Sequence, residues 1–241
     1  MELEPGKIGG HILTRYDEDL EAIRTRVLTM GGLVEEQIAN AMKALREEDS
    51  LLGESVVTGD YRVNDLEVTI DEECTRIIAL RQPTAGDLRM VMAIVKTITD
   101  LERIGDEAEK IGRMAARLAG TDFANKRMTG VQHLGERVRQ MVQNALDAFA
   151  RLDVDAALET VREDENVDHE YETLMRALMT YMMEDPRQMP QVMDIIWCAR
   201  ALERIGDHAK NICEYVVYLV KGKDIRHTSL EQMEREAHGP A

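Results

Sequence analysis

The chain has 241 residues with 46 acidic against 30 basic side chains, a formal net charge of −16, only 5 prolines and 4% aromatics. Such an acidic surface repels phosphate backbones and anionic lipid, which excludes nucleic acid as the main partner and favours cations, metals or a basic patch on another protein. The 3 cysteines, Cys74, Cys198 and Cys213, form no C-x-x-C pair and point to a reduced, cytoplasmic chain. In chain order, residues 1–13 form an N-terminal segment, and the first helix is predicted from about Thr14 to Glu48. Asp49 is a candidate N-cap for a second helix ending near Leu80. Gln82-Pro83-Thr84 is a turn, and a third helix follows from about Ala85 to Ala119. After a polar connection at 120–129, a fourth helix spans about Val131–Arg151, and Asp153 caps a fifth that reaches about Met183. Asp185-Pro186 breaks the pattern before a sixth helix from about Pro190 to Lys221, and 223–241 read as a polar tail. The Met175, Met179, Met182 and Met183 group reads as core filler.

Leu101-Glu102-Arg103-Ile104-Gly105-Asp106 recurs as Leu202-Glu203-Arg204-Ile205-Gly206-Asp207. A shift of 104 residues also matches Asn40 to Asn144, Asp49 to Asp153, Asp60 to Asp164 and Val63 to Val167. The chain is therefore expected to be all-α, a tandem repeat of two three-helix bundles over 14–120 and 130–222. No N-terminal stretch reads as a secretory signal and no apolar run is long enough for a membrane helix, so any membrane contact runs through partners.

Within each hexapeptide a Glu stands four residues before an Asp, one helical turn away, so the two carboxylates share a face. With Leu101 and Ile104 inward, Glu102 and Asp106 fall on the outer face, as do Glu203 and Asp207. Asp60 and Asn64 on the second helix, and Asp164 and Asp168 on the fifth, repeat the spacing on a neighbouring helix. All-oxygen sets of this kind suit a divalent metal or iron, with Mg, Mn, Zn and Fe as candidates. His208 adds a nitrogen in the second unit alone, where Glu107 stands in the first, so the second unit is expected to be the fuller site. Arg103 and Arg204 precede Asp106 and Asp207 by three residues and are candidates for pairing with them or with a partner. Gly105 and Gly206, costly inside a helix, are expected to let a neighbouring helix or an ion come close. There is no phosphate-binding Gly-rich loop, no nucleophile elbow and no Glu-x-x-His pair. A metal-dependent helical enzyme and a plain helical scaffold with solvated acids stand as the alternatives.

The two hexapeptides, Asp207-His208-Ala209-Lys210-Asn211-Ile212, and Ala79-Leu80-Arg81-Gln82-Pro83-Thr84-Ala85-Gly86-Asp87-Leu88-Arg89 resemble the PhoU family over about His11–Arg226. The resemblance implies a cytoplasmic negative regulator rather than an enzyme. It would link the ATPase subunit of a phosphate ABC transporter to a membrane sensor histidine kinase and keep the phosphate-starvation response off when phosphate is plentiful. It also implies surface metal clusters at Glu102/Asp106, Glu203/Asp207, Asp164/Asp168 and, with an amide replacing an acid, Asp60/Asn64. Two quasi-equivalent faces suit two partners or a symmetric homodimer.

Overall fold

The structure, a computed structural model, describes residues 14–121, 128–226, 228 and 230–238. Its helices are α1 (Thr14–Glu47), α2 (Ser50–Gly59), α3 (Tyr61–Arg81), α4 (Ala85–Leu118), α5 (Thr129–Arg151), α6 (Val154–Glu184), α7 (Met189–Lys221) and α8 (Leu230–His238), with a 3-10 turn at Pro186–Gln188 before α7. No strand occurs among the described residues.

Helix follows from a long 3-4 spacing of apolar residues. In α1 the buried stripe is Leu20, Ile23, Val27, Met30, Val34, Ile38, Ala41 and Leu45. The stripe of α4 (Met90, Ile94, Leu101, Ile104, Ala108, Ile111, Ala115, Leu118) and that of α7 (Ile195, Cys198, Leu202, Ile205, Ala209, Ile212, Val216, Leu219) are buried as the pattern predicts. The three cysteines lie inside as free thiols. Burial pushes the Cys74 and Cys213 thiols up to about 12, which keeps them inert.

Both repeats end their first helix with one device. Glu48 and Leu152 take the left-handed conformation, at φ 55 each. The next residue folds its amide back, Asp49 to the Ala44 carbonyl and Asp153 to the Ala148 carbonyl, 3.0 Å in both. Asp49 then accepts from the Leu52 amide at 2.9 Å and Asp153 from the Ala156 amide at 3.1 Å, so both act as the predicted N-caps.

Three expectations change. The predicted second helix is two, α2 and α3, whereas its counterpart α6 runs unbroken. Gly59 sits at the junction where the second repeat has Glu163, and glycine weakens a helix interior. The supposed polar tail carries α8, held by buried Ile225 and Met233 and by the Arg162–Glu234 ion pair, 2.5 Å at Nη2 and 2.9 Å at Nε. Met179 and Met183 are exposed rather than core, on a side of α6 that faces solvent. The connection at 122–127 lies outside the described residues.

Each repeat is a three-helix unit, α1 with α2–α3 and α4, then α5 with α6 and α7. The most extensive contact in the molecule joins them along α4 and α7. These run antiparallel, pairing Arg117 with Asp194, Glu107 with Arg204, Asp100 with Asn211 and Lys96 with Tyr215. A second contact joins α1 to α5, where Gly31 faces Leu146 and Gly135 faces Met42. Those two pairs are exchanged by the repeat shift of 104, so the halves are related by a pseudo-two-fold axis.

Candidate functional site

In the first repeat α4 supplies Glu102 and Asp106, and the α2–α3 junction supplies Asp60. Gly105 is what brings these helices together. A Cβ there would stand 3.1 Å from Asp60 Oδ1 and 3.2 Å from Gln37 Oε1. Asp60 is 8% exposed, and its oxygens accept from Gln37 Nε2 at 3.1 Å and Asn64 Nδ2 at 3.0 Å. Burial raises the Glu102 carboxyl above its ordinary value, helped by the charges of Asp106, Glu67 and Asp60. Asp106 is raised by burial and then by Asp60, and Glu67 by burial and then by Asp71. Crowding of like charges adds to burial here, and a cation placed among these acids would lower them again.

In the second repeat the helices are α6 and α7. Asp164 is 4% exposed, and its Oδ1 would lie 3.9 Å from a Cβ at Gly206. Lys210 Nζ donates to Asp164 Oδ2 at 2.6 Å, and Arg200 donates to Glu203 Oε1 at 2.6 Å. Burial raises Glu203 and Asp207, helped by Asp207 for the first and by Asp164 and Asp168 for the second. Asp168 is raised by burial and by Asp164. The C-terminal segment lies alongside, since Arg226, Thr228 and Met233 line one cleft with Asp207 and Lys210.

The structure thus groups Asp60, Asn64, Glu102 and Asp106 on one face and Asp164, Asp168, Glu203 and Asp207 on the other, but not simply outward. Asp60 and Asp164 are buried; Glu102, Asp106 and Glu203 are half-buried; Asp168 and Asp207 are exposed as whole residues, although packing around their carboxyls still desolvates them. The correction comes from the neighbouring helix, which the pattern of a single helix cannot show. His208 is not with its neighbour's acids. Its Nδ1 is 2.7 Å from Asp100 Oδ1 in the buried α4–α7 contact, where Asn211 Nδ2 and Tyr215 Oη also donate to Asp100 at 3.0 and 2.8 Å. Arg204 likewise leaves Asp207 and meets Glu107, 3% exposed, at 2.7 Å, with Lys110 on the same carboxylate at 3.0 Å. Arg103 is exposed on the first face.

Among the described residues no three His, Cys, Asp or Glu side chains are arranged to hold a metal ion. Other oxygens beside these acids are free to take part in holding one. Gln37 Oε1, Asn64 Oδ1 and Glu203 Oε2 are buried without hydrogen-bond partners, each beside an acidic cluster. With His208 committed to Asp100, the donors left on both faces are oxygens, a set for hard ions such as Mg²⁺ or Mn²⁺. Gln37, Lys210 and Glu67 escape the sequence motifs; Gln37 lies on another helix and its repeat counterpart is Met141.

The PhoU domain family matches residues 27–115 and again 131–216, one copy on each three-helix unit. The chain belongs to the PhoU family. The phosphate-specific transport system accessory protein PhoU homolog of Pseudomonas putida is 50% identical over 96% of this chain and 90% of its own length. The crystal structure of PhoU from Pseudomonas aeruginosa superposes with a TM-score of 0.84 at 51% identity, covering 86% of this chain and 100% of that one. The phosphate transport system regulatory protein PhoU of Streptococcus pneumoniae gives 0.81 at 29% identity, over 87% and 98%. The two PhoU domains coincide with the two acidic faces, so each domain brings its own cluster and the α4–α7 contact is the seam between domains.

Proposed function

We propose that this PhoU-family chain is a non-enzymatic accessory protein of a phosphate transport system and a negative regulator of phosphate uptake. It acts as a cytoplasmic adaptor between the transporter's ATPase subunit and a sensor histidine kinase. The accessory and regulatory names of relatives that align over nearly its whole length support the system. The repeated acidic face supports the adaptor role: two clusters on two related surfaces offer two docking places. A divalent cation bound there would neutralise crowded carboxylates and let a partner approach without burying unpaired charge.

Deleting the gene is expected to switch on phosphate-starvation genes in phosphate-rich medium, read as transcript levels; continued silence would overturn the regulator role. Glu203→Ala with Asp207→Ala is expected to weaken pull-down of the kinase or the ATPase subunit at least tenfold. Capture of both at wild-type levels would remove the second face from docking.

A further inference from the structure

The repeat makes the two acidic faces counterparts, yet their charge balance differs. On the second face α7 supplies its own cations, Lys210 on Asp164 and Arg200 on Glu203. The hexapeptide shift of 101 places Glu109 and Thr99 at those positions on the first face. Glu109 pairs with Arg113, one turn further along α4. Asp60 is met instead by two neutral amides, Gln37 from α1 and Asn64 from α3.

Each amide donates through its nitrogen to Asp60, and its oxygen has no hydrogen-bond partner of its own. Gln37 is 8% exposed and its Oε1 is unpartnered, as is Asn64 Oδ1. A buried carbonyl oxygen is rarely left unpaired without a reason. Gln37 Oε1 and Asp60 Oδ1 converge on Gly105, at 3.2 and 3.1 Å from the position a Cβ would fill. The absent side chain of Gly105 therefore lets an amide oxygen and a carboxylate oxygen approach α4 closely, next to Glu102 and Asp106. The comparable approach at Gly206 is looser, with Val167 Cγ1 nearest at 3.4 Å and Asp164 Oδ1 at 3.9 Å.

We infer that the first face is the tighter divalent-cation site, with Gln37 as a ligand through its amide oxygen, and that Lys210 is the resident cation of the second face and keeps metal binding there weak. This rests on the metal role proposed above for the acidic faces. It reverses the ranking expected from His208, because that imidazole serves Asp100 while Lys210 occupies Asp164. An oxygen-only set that includes a neutral amide fits a hard ion of the Mg²⁺ or Mn²⁺ class.

The test is a Mn²⁺ titration of the full chain, following free Mn²⁺ by electron paramagnetic resonance and the melting temperature in parallel. The wild type is expected to show a tight and a weak binding phase. Gln37→Leu should weaken the tight phase 10- to 100-fold. Gln37→Glu, which keeps an oxygen at that place, should retain the tight phase and gain more melting temperature from Mn²⁺ than the wild type does. Lys210→Met should tighten the weak phase at least tenfold and leave the tight one alone; Lys210→Gln serves if the methionine variant folds poorly. Wild-type binding by Gln37→Leu, while Glu102→Ala with Asp106→Ala removes the tight phase, would overturn the role of Gln37 and leave the metal role standing. A tight phase lost with Glu203→Ala and Asp207→Ala instead would overturn the assignment to the first face. Lys210 variants that change neither phase would end its role as resident cation. No Mn²⁺ uptake by the wild type would remove the metal role itself.

Discussion

Glu214 shows how burial sets charge in this protein. It lies on α7 at 6% exposure, and burial pushes its carboxyl from 4.5 up to about 7. Lys210 and Arg226 pull it down, while Asp224 and Asp100 push it up. Because the folded chain holds this proton more tightly than the unfolded chain, stability falls as pH rises from about 4.5 through about 7. Above that range both states are ionised and the loss is constant. Glu214→Gln is therefore expected to melt higher than wild type at pH 8, with the gap closing toward pH 4; thermal melts across that range check it, and a gap that does not change with pH would contradict it. Glu102, Asp106, Glu203 and Asp207 are raised in the same direction and add to the slope. The paired acids were legible from spacing, since one helical turn puts them on one face. The partners of each acid were not: His208 and Lys210 stand on the same helix two residues apart, yet one serves Asp100 across the seam and the other Asp164 within the repeat.

Element packing turns on where glycine is needed. A Cβ on Gly53 of α2 would stand 2.6 Å from the Gly112 carbonyl oxygen of α4, and one on Gly112 would stand 3.0 Å from the Gly53 carbonyl oxygen. Backbone cannot move aside as a side chain does. Gly53→Ala should therefore cost about 1–3 kcal/mol. Gly32, exposed on α1, meets nothing within 4 Å. Gly32→Ala should stabilise by about 0.5–1 kcal/mol. Urea denaturation of the two variants reads both signs, and a shared sign would mean helix propensity rather than close approach decides. Most helix limits followed from caps and apolar spacing to within one or two residues. The α2–α3 break did not, because Asp60 keeps helical angles, φ −60 and ψ −32, and its buried side chain accepts from Gln37 on α1, a contact made only on packing. Nor did α8, which buries Met233 and packs on α6 and α7 of the second domain.

Across the whole molecule, the two PhoU domains are joined by a polar seam set into an apolar one. Asp100, 3% exposed, accepts from His208, Asn211 and Tyr215, and Glu107, equally buried, accepts from Arg204 and Lys110. Asp100→Ala would strand three donors of α7 at the seam. It is expected to cost about 2–3 kcal/mol in urea denaturation. Asp100→Asn, which keeps one acceptor oxygen, should cost less; equal losses would show that the seam depends on shape rather than on these hydrogen bonds. Helix, tandem repeat and the pairing of acids one turn apart are properties of neighbours in the chain, where period and spacing suffice. The division of labour between the two acidic faces is different in kind. It depends on Gln37 reaching Asp60 from 23 positions away and on Asp100 drawing His208 from 108 positions away, contacts made only when the helices pack.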